Sequence, residues 1–359
     1  MRKKRDRYSD NKMGHETFTP KRDNFSIRSY TPGDEDKIVP MFQEIFGVQR
    51  SCEHWYWKYR DNPLGSHYIS LAVAEDGCPA AHYGGYPVML YLKTDKGESP
   101  REFLTFHLGD KMTRKEFRGV GFGKSSLLAR TFYHFRDTFA GGDVPFGYGF
   151  GTHHSLRFGL LFLHYADIEP VSYRRIALVD LDSFRVNPLR RALSRKKVQE
   201  VRDVDTEWTD FFYRVAPAYQ YLVKRDEAYV RWRYLSRPDR RYLILKICKG
   251  KDLQGWSVFF REGEKIIWGD ALFLPGDSAS VKAVLHSLRR HPASLGADYI
   301  ECWFPQRPLW WDAVLRQIGF VSSPEPNDLH LTGPVFNDPS APSVLRKYFY
   351  YTLGDCDLF

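Results

Sequence analysis

The segment Asp110–Arg130, DKMTRKEFRGVGFGKSSLLAR, carries three glycines at alternate positions between Arg118 and Lys124. We predict that it forms the end of a strand, a tight turn and the start of a helix. Because glycine has no Cβ, backbone amides in such a turn can approach a ligand closely. The helix dipole and the two basic side chains favour an anion at the same place. The segment therefore predicts a phosphate or pyrophosphate site.

Three known glycine loops compete for this turn. A P-loop, G-x-x-x-x-G-K-[ST], would end at Gly123-Lys124-Ser125, but its first glycine falls on Arg118. A dinucleotide-binding G-x-G-x-x-G starting at Gly119 would need a third glycine where Lys124 stands. The pattern [RQ]-x-x-G-x-[GA] is matched in full by Arg118, Gly121 and Gly123. An ordinary glycine-rich turn without a ligand remains the structural alternative.

The spacing of apolar residues predicts ten elements between Phe25 and Asp182, in the order β-α-α-β-β-β-α-β-α-β. The glycine turn precedes the third helix, Ser155–Tyr165 is the fourth helix, and Glu169–Asp182 is a closing strand. A basic, polar stretch follows, with helical spacing between Leu189 and Val201, and we interpret it as a linker.

The second half of the chain repeats features of the first. Trp57-x-Tyr59-x-x-x-Pro63 recurs as Trp232-x-Tyr234-x-x-x-Pro238, and Gly109-Asp110 recurs as Gly269-Asp270. At the place of the glycine turn, the second copy has Leu274-Pro275-Gly276-Asp277. Proline removes a backbone donor and an aspartate repels phosphate, so we expect only the first copy to bind the anion.

With this motif in this order of elements, the chain from about Ser26 to Phe359 resembles tandem members of the GCN5-related N-acetyltransferase (GNAT) superfamily. The ending Lys347–Asp357 also resembles the C-terminal segment of such tandem proteins. The resemblance implies an α/β (α+β) fold with two GNAT-like lobes, each a mixed twisted sheet flanked by helices. We expect a basic disordered tail (1–24), a lobe with the acyl-CoA site (25–184), a basic linker (185–205) and a second lobe without the CoA motif (206–359).

The resemblance implies an N-acyltransferase that uses acetyl-CoA or a longer acyl-CoA as co-substrate, without a metal. Backbone amides of Lys111, Met112 and Thr113 would hold the pantetheine, and one of them would polarise the thioester carbonyl. The turn would hold the pyrophosphate through Arg118, Gly119, Val120, Gly121, Phe122, Gly123, Lys124 and Ser125.

The residues that usually move protons in this superfamily are missing from their places. The position of the usual tyrosine acid falls on Leu160, and that of the usual glutamate base falls near Gly109, next to Asp110. The remaining candidates, each with a structural alternative, are Asp110, His107, His153 and His154. Asp110 would point away from the site unless a bulge interrupts the strand, whereas His153 and His154 are expected in a loop at the cleft.

The acceptor is expected to be a primary amine on a small molecule, most concretely a nucleotide-linked amino-sugar used for surface polysaccharide. A peptide, a polyamine, a lipid-linked amine and a non-catalytic acyl-CoA sensor are the alternatives. His54, Trp55 and Tyr56 have no counterparts in the repeat and are the candidates for acceptor binding. Trp57 and Tyr59 are repeated, which favours core packing for both.

Composition bounds these expectations. The 359 residues carry a net charge of +9, which fits a polyanionic ligand, and no nucleic-acid-binding motif is present. No apolar run has the length of a membrane span, and no signal peptide is recognisable. Five scattered cysteines predict reduced thiols in a cytoplasm rather than disulfides or a zinc site. Whether two chains associate is left open.

Overall fold

The computed structural model describes residues 24–94, 98–183 and 196–359. The predicted tail, apart from residue 24, and most of the predicted linker lie outside these ranges. No helix of the described residues is both long and apolar enough to cross a bilayer.

The first sheet has nine strands, in the order β1-β2-β3-β4-β5-β15-β6, with β9 paired to the end of β3 and β16 paired to β9. Their bounds are β1 (Ser26–Ser29), β2 (Ile69–Val73), β3 (Pro79–Leu92), β4 (Arg101–Thr113), β5 (Gly147–Gly151), β6 (Tyr165–Pro170), β9 (Tyr221–Val223), β15 (His330–Pro334) and β16 (Phe349–Tyr350).

The second sheet has seven strands, in the order β14-β7-β13-β12-β11-β10-β8. Their bounds are β7 (Tyr173–Ala177), β8 (Lys196–Glu200), β10 (Leu243–Lys249), β11 (Asp252–Glu262), β12 (Lys265–Phe273), β13 (Tyr299–Trp303) and β14 (Val321–Ser323).

Helices flank both sheets. They are α1 (Glu35–Phe46), α2 (Cys52–Tyr59), α3 (Leu127–Phe139), α4 (His153–Phe162), α5 (Thr206–Tyr219), α6 (Glu227–Val230), α7 (Ser278–Arg289), α8 (Leu309–Ile318) and α9 (Ala341–Tyr348). The order of the first ten elements is as the sequence predicts, and the mixed α/β class with two sheets is confirmed.

The sheets exchange strands between the two halves of the chain. The predicted closing strand Glu169–Asp182 is wrong as one element, because it ends the first sheet as β6 and then enters the second sheet as β7. In return, β15 inserts between β5 and β6 of the first sheet. Helical spacing up to Val201 is also misleading, because β8 pairs with β10 there; residues 189–195 of that predicted helix lie outside the described ranges.

The largest apolar core is shared by both sheets. It joins first-sheet residues such as Tyr86 and Tyr148 to second-sheet residues such as Trp256 and Trp268. Two smaller cores lie under α3 and between α1, α2 and β2. The two sheets therefore form one packed body in which β4, at the centre of the first sheet, has a fixed position.

Candidate functional site

A bulge interrupts β4 at the residues the sequence singles out. His82 pairs with Met112 and Gly84 with Gly109, so Tyr83 alone faces both Asp110 and Lys111. Asp110 takes the left-handed backbone conformation, with φ of 51°. Such a conformation is strained for a residue with a Cβ and is held by its surroundings. Without a bulge, strand alternation would point the Asp110 carboxylate away from the site. The bulge instead turns it toward Arg50, Lys58 and Tyr59.

The Asp110 carboxylate is saturated with donors. Arg50 Nη1 donates over 2.5 Å, Tyr59 OH over 2.6 Å, and Lys58 Nζ lies 3.1 Å away. Although burial alone would raise the pKa of Asp110, these cations and hydrogen bonds hold it well below the usual value. An ionised carboxylate with three partners fixes the surrounding cations and is a poor proton acceptor.

A second carboxylate reaches the bulge from the end of the chain. Asp357 Oδ2 lies 2.9 Å from Lys58 Nζ. A Cβ placed on Gly109 would lie only 2.4 Å from the same Asp357 oxygen. The carboxylate of Asp357 therefore occupies the space that a side chain at position 109 would fill. Lys58 bridges the two carboxylates, and the pKa of Asp357 is lowered chiefly by Lys58 against the effect of burial.

These groups face a cleft of about 500 Å³. Its walls come from the α1–α2 segment, β4, the β5–α4 junction and three later parts of the chain. They include Phe42, Phe46, Val48, Arg50, His54, Leu108, Gly109, Asp110, Lys111, Phe150, Gly151, Thr152, Ser155, Arg237, Asp239, Arg240, Leu329, Asp357 and Leu358. The cleft opens where β4 and β5 separate, because the two strands pair only at Phe106–Gly147 and His107–Tyr148.

Lys111 lies in the cleft without an anionic partner. Among the described residues it forms no ion pair, and its Nζ lies 5.0 Å from the centre of the Tyr165 ring. Burial lowers the pKa of Lys111 to about 8, although Asp357 opposes this shift. A lysine in this state exchanges a proton near neutral pH.

The glycine turn follows β4 after one short 3₁₀ turn, Lys115–Phe117. Gly121 and Gly123 have φ of 69° and 59°, and a Cβ on Gly121 would lie 2.2 Å from the Ser125 carbonyl oxygen. No atom lies within 4 Å of a Cβ built on Gly119. Among the described residues, the amides of Gly119 and Gly121 have no protein acceptor. A short 3₁₀ turn, Gly123–Ser125, separates this loop from α3, whose N-cap is Ser126.

The second half reproduces the carboxylate cluster without a cleft. Asp270 accepts from Tyr234 OH over 2.6 Å and from Arg225 Nε over 2.9 Å, and all three are buried. The bulge recurs in β12, between the Val258–Asp270 and Phe259–Trp268 pairs. Asp277 caps α7 and pairs with Lys196 Nζ at 2.6 Å, so a carboxylate occupies the helix end that corresponds to the glycine turn of the first half.

The predicted histidine candidates do not line the cleft. His107 is fully buried against the Tyr86 ring, and burial lowers its pKa to about 4. His153 and His154 belong to the exposed first turn of α4, which corrects their predicted place in a loop. The predicted helix Ser155–Tyr165 begins two residues earlier because Thr152 is already extended and precedes it as the N-cap.

The three candidates for acceptor binding on α2 lie in different surroundings. His54 lies in the cleft wall with Nδ1 3.6 Å from Asp239 Oδ2, and burial lowers its pKa to about 3. Trp55 is fully buried in the core beside α1, so it is not available to a ligand. Tyr56 is half-buried, with its hydroxyl 3.4 Å from Glu35.

Three polar groups also meet behind the cleft. Ligand atoms of His107, Cys356 and Asp357 lie within 4.8 Å of one another. Burial raises the pKa of the Cys356 thiol, and Lys58 already neutralises Asp357. This donor set is protonated or paired, which disfavours a cation, and all five cysteines are free thiols.

Sequence reasoning did not single out Arg50, Lys58 or Asp357 as site residues. Asp357 lies inside the C-terminal segment that carries the family resemblance, and Lys58 stands between the two repeated aromatics of α2. These residues stand between 52 positions (Lys58) and 247 positions (Asp357) away from Asp110 in the chain, and no local pattern encodes their approach.

The architecture is that of tandem GNAT-fold proteins. A probable N-acyltransferase of Enterococcus faecalis aligns with a TM-score of 0.65 and 11% identity over 87% of this chain and 72% of its own. A GCN5-related N-acetyltransferase from Kribbella flavida gives 0.61 and 13% over 89% and 72%. Saccharomyces cerevisiae N-myristoyltransferase with bound myristoyl-CoA gives 0.57 and 9% over 89% and 81%. No protein-family model and no curated protein matches the sequence.

Proposed function

We propose that this tandem GNAT-fold protein is an acyl-CoA-dependent N-acyltransferase. The observation that carries the proposal is the course of β4, which leads from a cleft with a buried carboxylate cluster, through one short 3₁₀ turn, to the glycine turn. The turn offers unpaired amides and the exposed side chains of Arg118 and Lys124 to a pyrophosphate. The separated edges of β4 and β5 offer the pantetheine a path between the two.

The proton path follows from the charges in the cleft. The acceptor nitrogen must be neutral when it attacks the thioester carbonyl. Asp357, in the space left by Gly109, attracts the acceptor ammonium, but its lowered pKa makes it a poor permanent acceptor of the proton. Lys111, with a pKa of about 8, receives the proton in its neutral form. The neutral amine then forms the C–N bond, the C–S bond breaks, and the leaving thiolate takes the second proton of the amine.

For the acceptor, we propose an amino-sugar linked to a nucleotide. Arg237 and Arg240 line the cleft beside Arg50, and such cations suit the diphosphate of a nucleotide-sugar. A peptide, a polyamine and a lipid-linked amine are the competing acceptors, and a panel of amines in a free-thiol release assay discriminates among them.

The first test is the thermal midpoint of the purified protein with acetyl-CoA, longer acyl-CoAs, ATP and NAD. Ligand binding to the native state raises the midpoint. A rise with acyl-CoA but not with ATP or NAD supports the proposal. A rise with ATP alone, or no rise with any CoA, refutes it and favours a nucleotide site at Gly123-Lys124-Ser125.

The second test separates catalysis from acyl-CoA sensing. Gly109→Ala inserts a methyl group against Asp357 and should lower kcat at least tenfold while acyl-CoA still raises the midpoint. Gly141→Ala is the control, because no atom lies within 4 Å of its Cβ position. Thermal stabilisation by acyl-CoA without thiol release for any amine in the panel would favour a sensor.

A further inference from the structure

An apolar and basic surface surrounds the outer end of the glycine turn, which is the proposed phosphate site and is called the phosphate turn below. Phe122, at the tip of the turn, is 86% exposed, and Leu160 and Leu161 on α4 are 45% and 58% exposed. The turn and helix are in contact, because the Phe122 and Phe162 ring centres are 6.1 Å apart. A Cβ on Gly123 would also lie 3.0 Å from the Phe162 ring. Three large apolar side chains thus share one exposed region.

Basic side chains surround these apolar residues. Arg157 precedes Leu160 and Leu161 by three and four positions, so it lies on the same exposed helix face. Lys115, Arg118 and Lys124 are exposed on the turn side. Among the described residues Lys115, Lys124 and Arg157 form no ion pair. Glu116 is the one acidic residue in 113–126, and none occurs in 152–166.

We infer that this surface docks an acidic carrier protein that bears the acyl group on a 4′-phosphopantetheine arm. The inference rests on the proposed N-acyltransferase function and concerns its donor. CoA and such a carrier share the phosphopantetheine arm, and they differ only in what is attached beyond its phosphate. The phosphate turn marks this attachment point, where the apolar and basic residues lie.

Charge and location favour a carrier protein over the other occupants. Unpaired cations around an apolar centre complement an acidic protein helix with exposed apolar side chains. An anionic membrane has a similar chemistry, but a bilayer on this surface would cover the mouth through which the arm enters. The acceptor amine forms the amide C–N bond, the C–S bond of the carrier thioester breaks, and the carrier keeps the sulfur as a thiol that holds the second proton of the amine.

The test compares two donors with the full chain. Acylated carrier protein and the matching acyl-CoA are assayed with wild-type protein, Arg157→Glu and Leu161→Ser. We expect both variants to lower kcat/KM for the carrier at least tenfold and for acyl-CoA less than twofold. Arg202→Glu, whose side chain is 90% exposed beside the second sheet, is the control and should change neither.

Binding is measured with unacylated holo carrier protein and with vesicles that contain anionic lipid. Saturable binding of the carrier that weakens with added salt and in Arg157→Glu supports the inference. Equal losses with both donors, no carrier binding, or salt-sensitive vesicle binding in its place would overturn it. Turnover of acyl-CoA is measured in parallel. Failure of the carrier inference can therefore be told apart from failure of the proposed N-acyltransferase function.

Discussion

Trp57 and Trp232, 175 positions apart in the chain, exchange reciprocal hydrogen bonds. Trp57 Nε1 donates to the Trp232 carbonyl over 2.7 Å, and Trp232 Nε1 donates to the Trp57 carbonyl over 2.9 Å. Their rings stack with centres 5.3 Å apart. Equivalent residues of the repeat thus meet across an approximate twofold axis. The two halves are joined at α2, which carries Tyr59, and at the π-helical segment Arg231–Leu235, which follows α6 and carries Tyr234.

This relationship predicts equal and coupled losses of stability. Trp57→Phe and Trp232→Phe each leave one buried carbonyl without its donor, and each should lower the free energy of unfolding by about 1–3 kcal/mol. Because the pair is in direct contact, the double variant should lose less than the sum. Chemical denaturation of the three variants measures this, and strict additivity would contradict a coupled pair.

The two carboxylate clusters provide a matched pair of variants. Tyr59→Phe and Tyr234→Phe each remove a 2.6 Å hydrogen bond to a buried aspartate, and each should cost about 1–3 kcal/mol. Only Tyr59→Phe borders the cleft through Asp110, so it alone should lower kcat, by about tenfold or more. Equal loss of thiol release in both variants would show that activity follows stability and not the first-half cluster.

The pKa of Lys111 predicts how kcat depends on pH. If neutral Lys111 takes the proton, kcat rises with pH through about 8, and Lys111→Met should lose about 10²-fold together with that limb. Lys124→Met, in the phosphate turn, should instead raise KM for the donor and keep the limb. An unchanged limb in Lys111→Met would assign the proton to another group.

The same lysine predicts a change in stability of known sign. Its folded pKa is below the ordinary 10.5, so burying the protonated form has a cost that is fully present below pH 8 and disappears as pH rises to about 10.5. Lys111→Met should therefore raise the free energy of unfolding at pH 7 by about 1–3 kcal/mol, and by almost nothing at pH 10.5. Urea titrations at both pH values measure it.

The glycine turn predicts different results at two glycines. Gly119→Glu puts a carboxylate beside the phosphate site without a clash, so acyl-CoA should no longer raise the thermal midpoint while the stability of the free protein stays close to wild type. Gly119→Gln controls for size. Gly121→Ala meets the Ser125 carbonyl and an unfavourable φ, so it should destabilise the free protein as well.

Several elements were predictable because their signals are local. Ser51 caps α2 by accepting from the His54 amide, and Gly47 ends α1 with a left-handed φ of 68°. The glycine turn and the repeat were recognisable from the spacing of their residues in the sequence. From the sequence we could state only that Asp110 would need a bulge to face the site. The position of a bulge depends on how β3 and β4 pair and not on either strand alone.

The parts that sequence reasoning missed depend on long-range contacts. Lys58 is 1% exposed and stands beside core aromatics on α2, and its role follows from two carboxylates that distant segments deliver. The exchange of β7 and β15 between sheets is also invisible to periodicity, which reports that a strand exists but not which sheet it joins. Tertiary pairing decided these features.

The insertion of β15 between β5 and β6 has a consequence for biosynthesis. The first 183 residues contain the glycine turn and β4, but without the later part of the chain the sheet lacks the strand at His330–Pro334 and the cleft lacks Asp357. The nascent first half therefore exposes two unpaired strand edges until residues near the far end of the sequence are synthesised. A chain that ends before this segment has no route to the complete cleft, so we expect truncated products to lack the proposed activity.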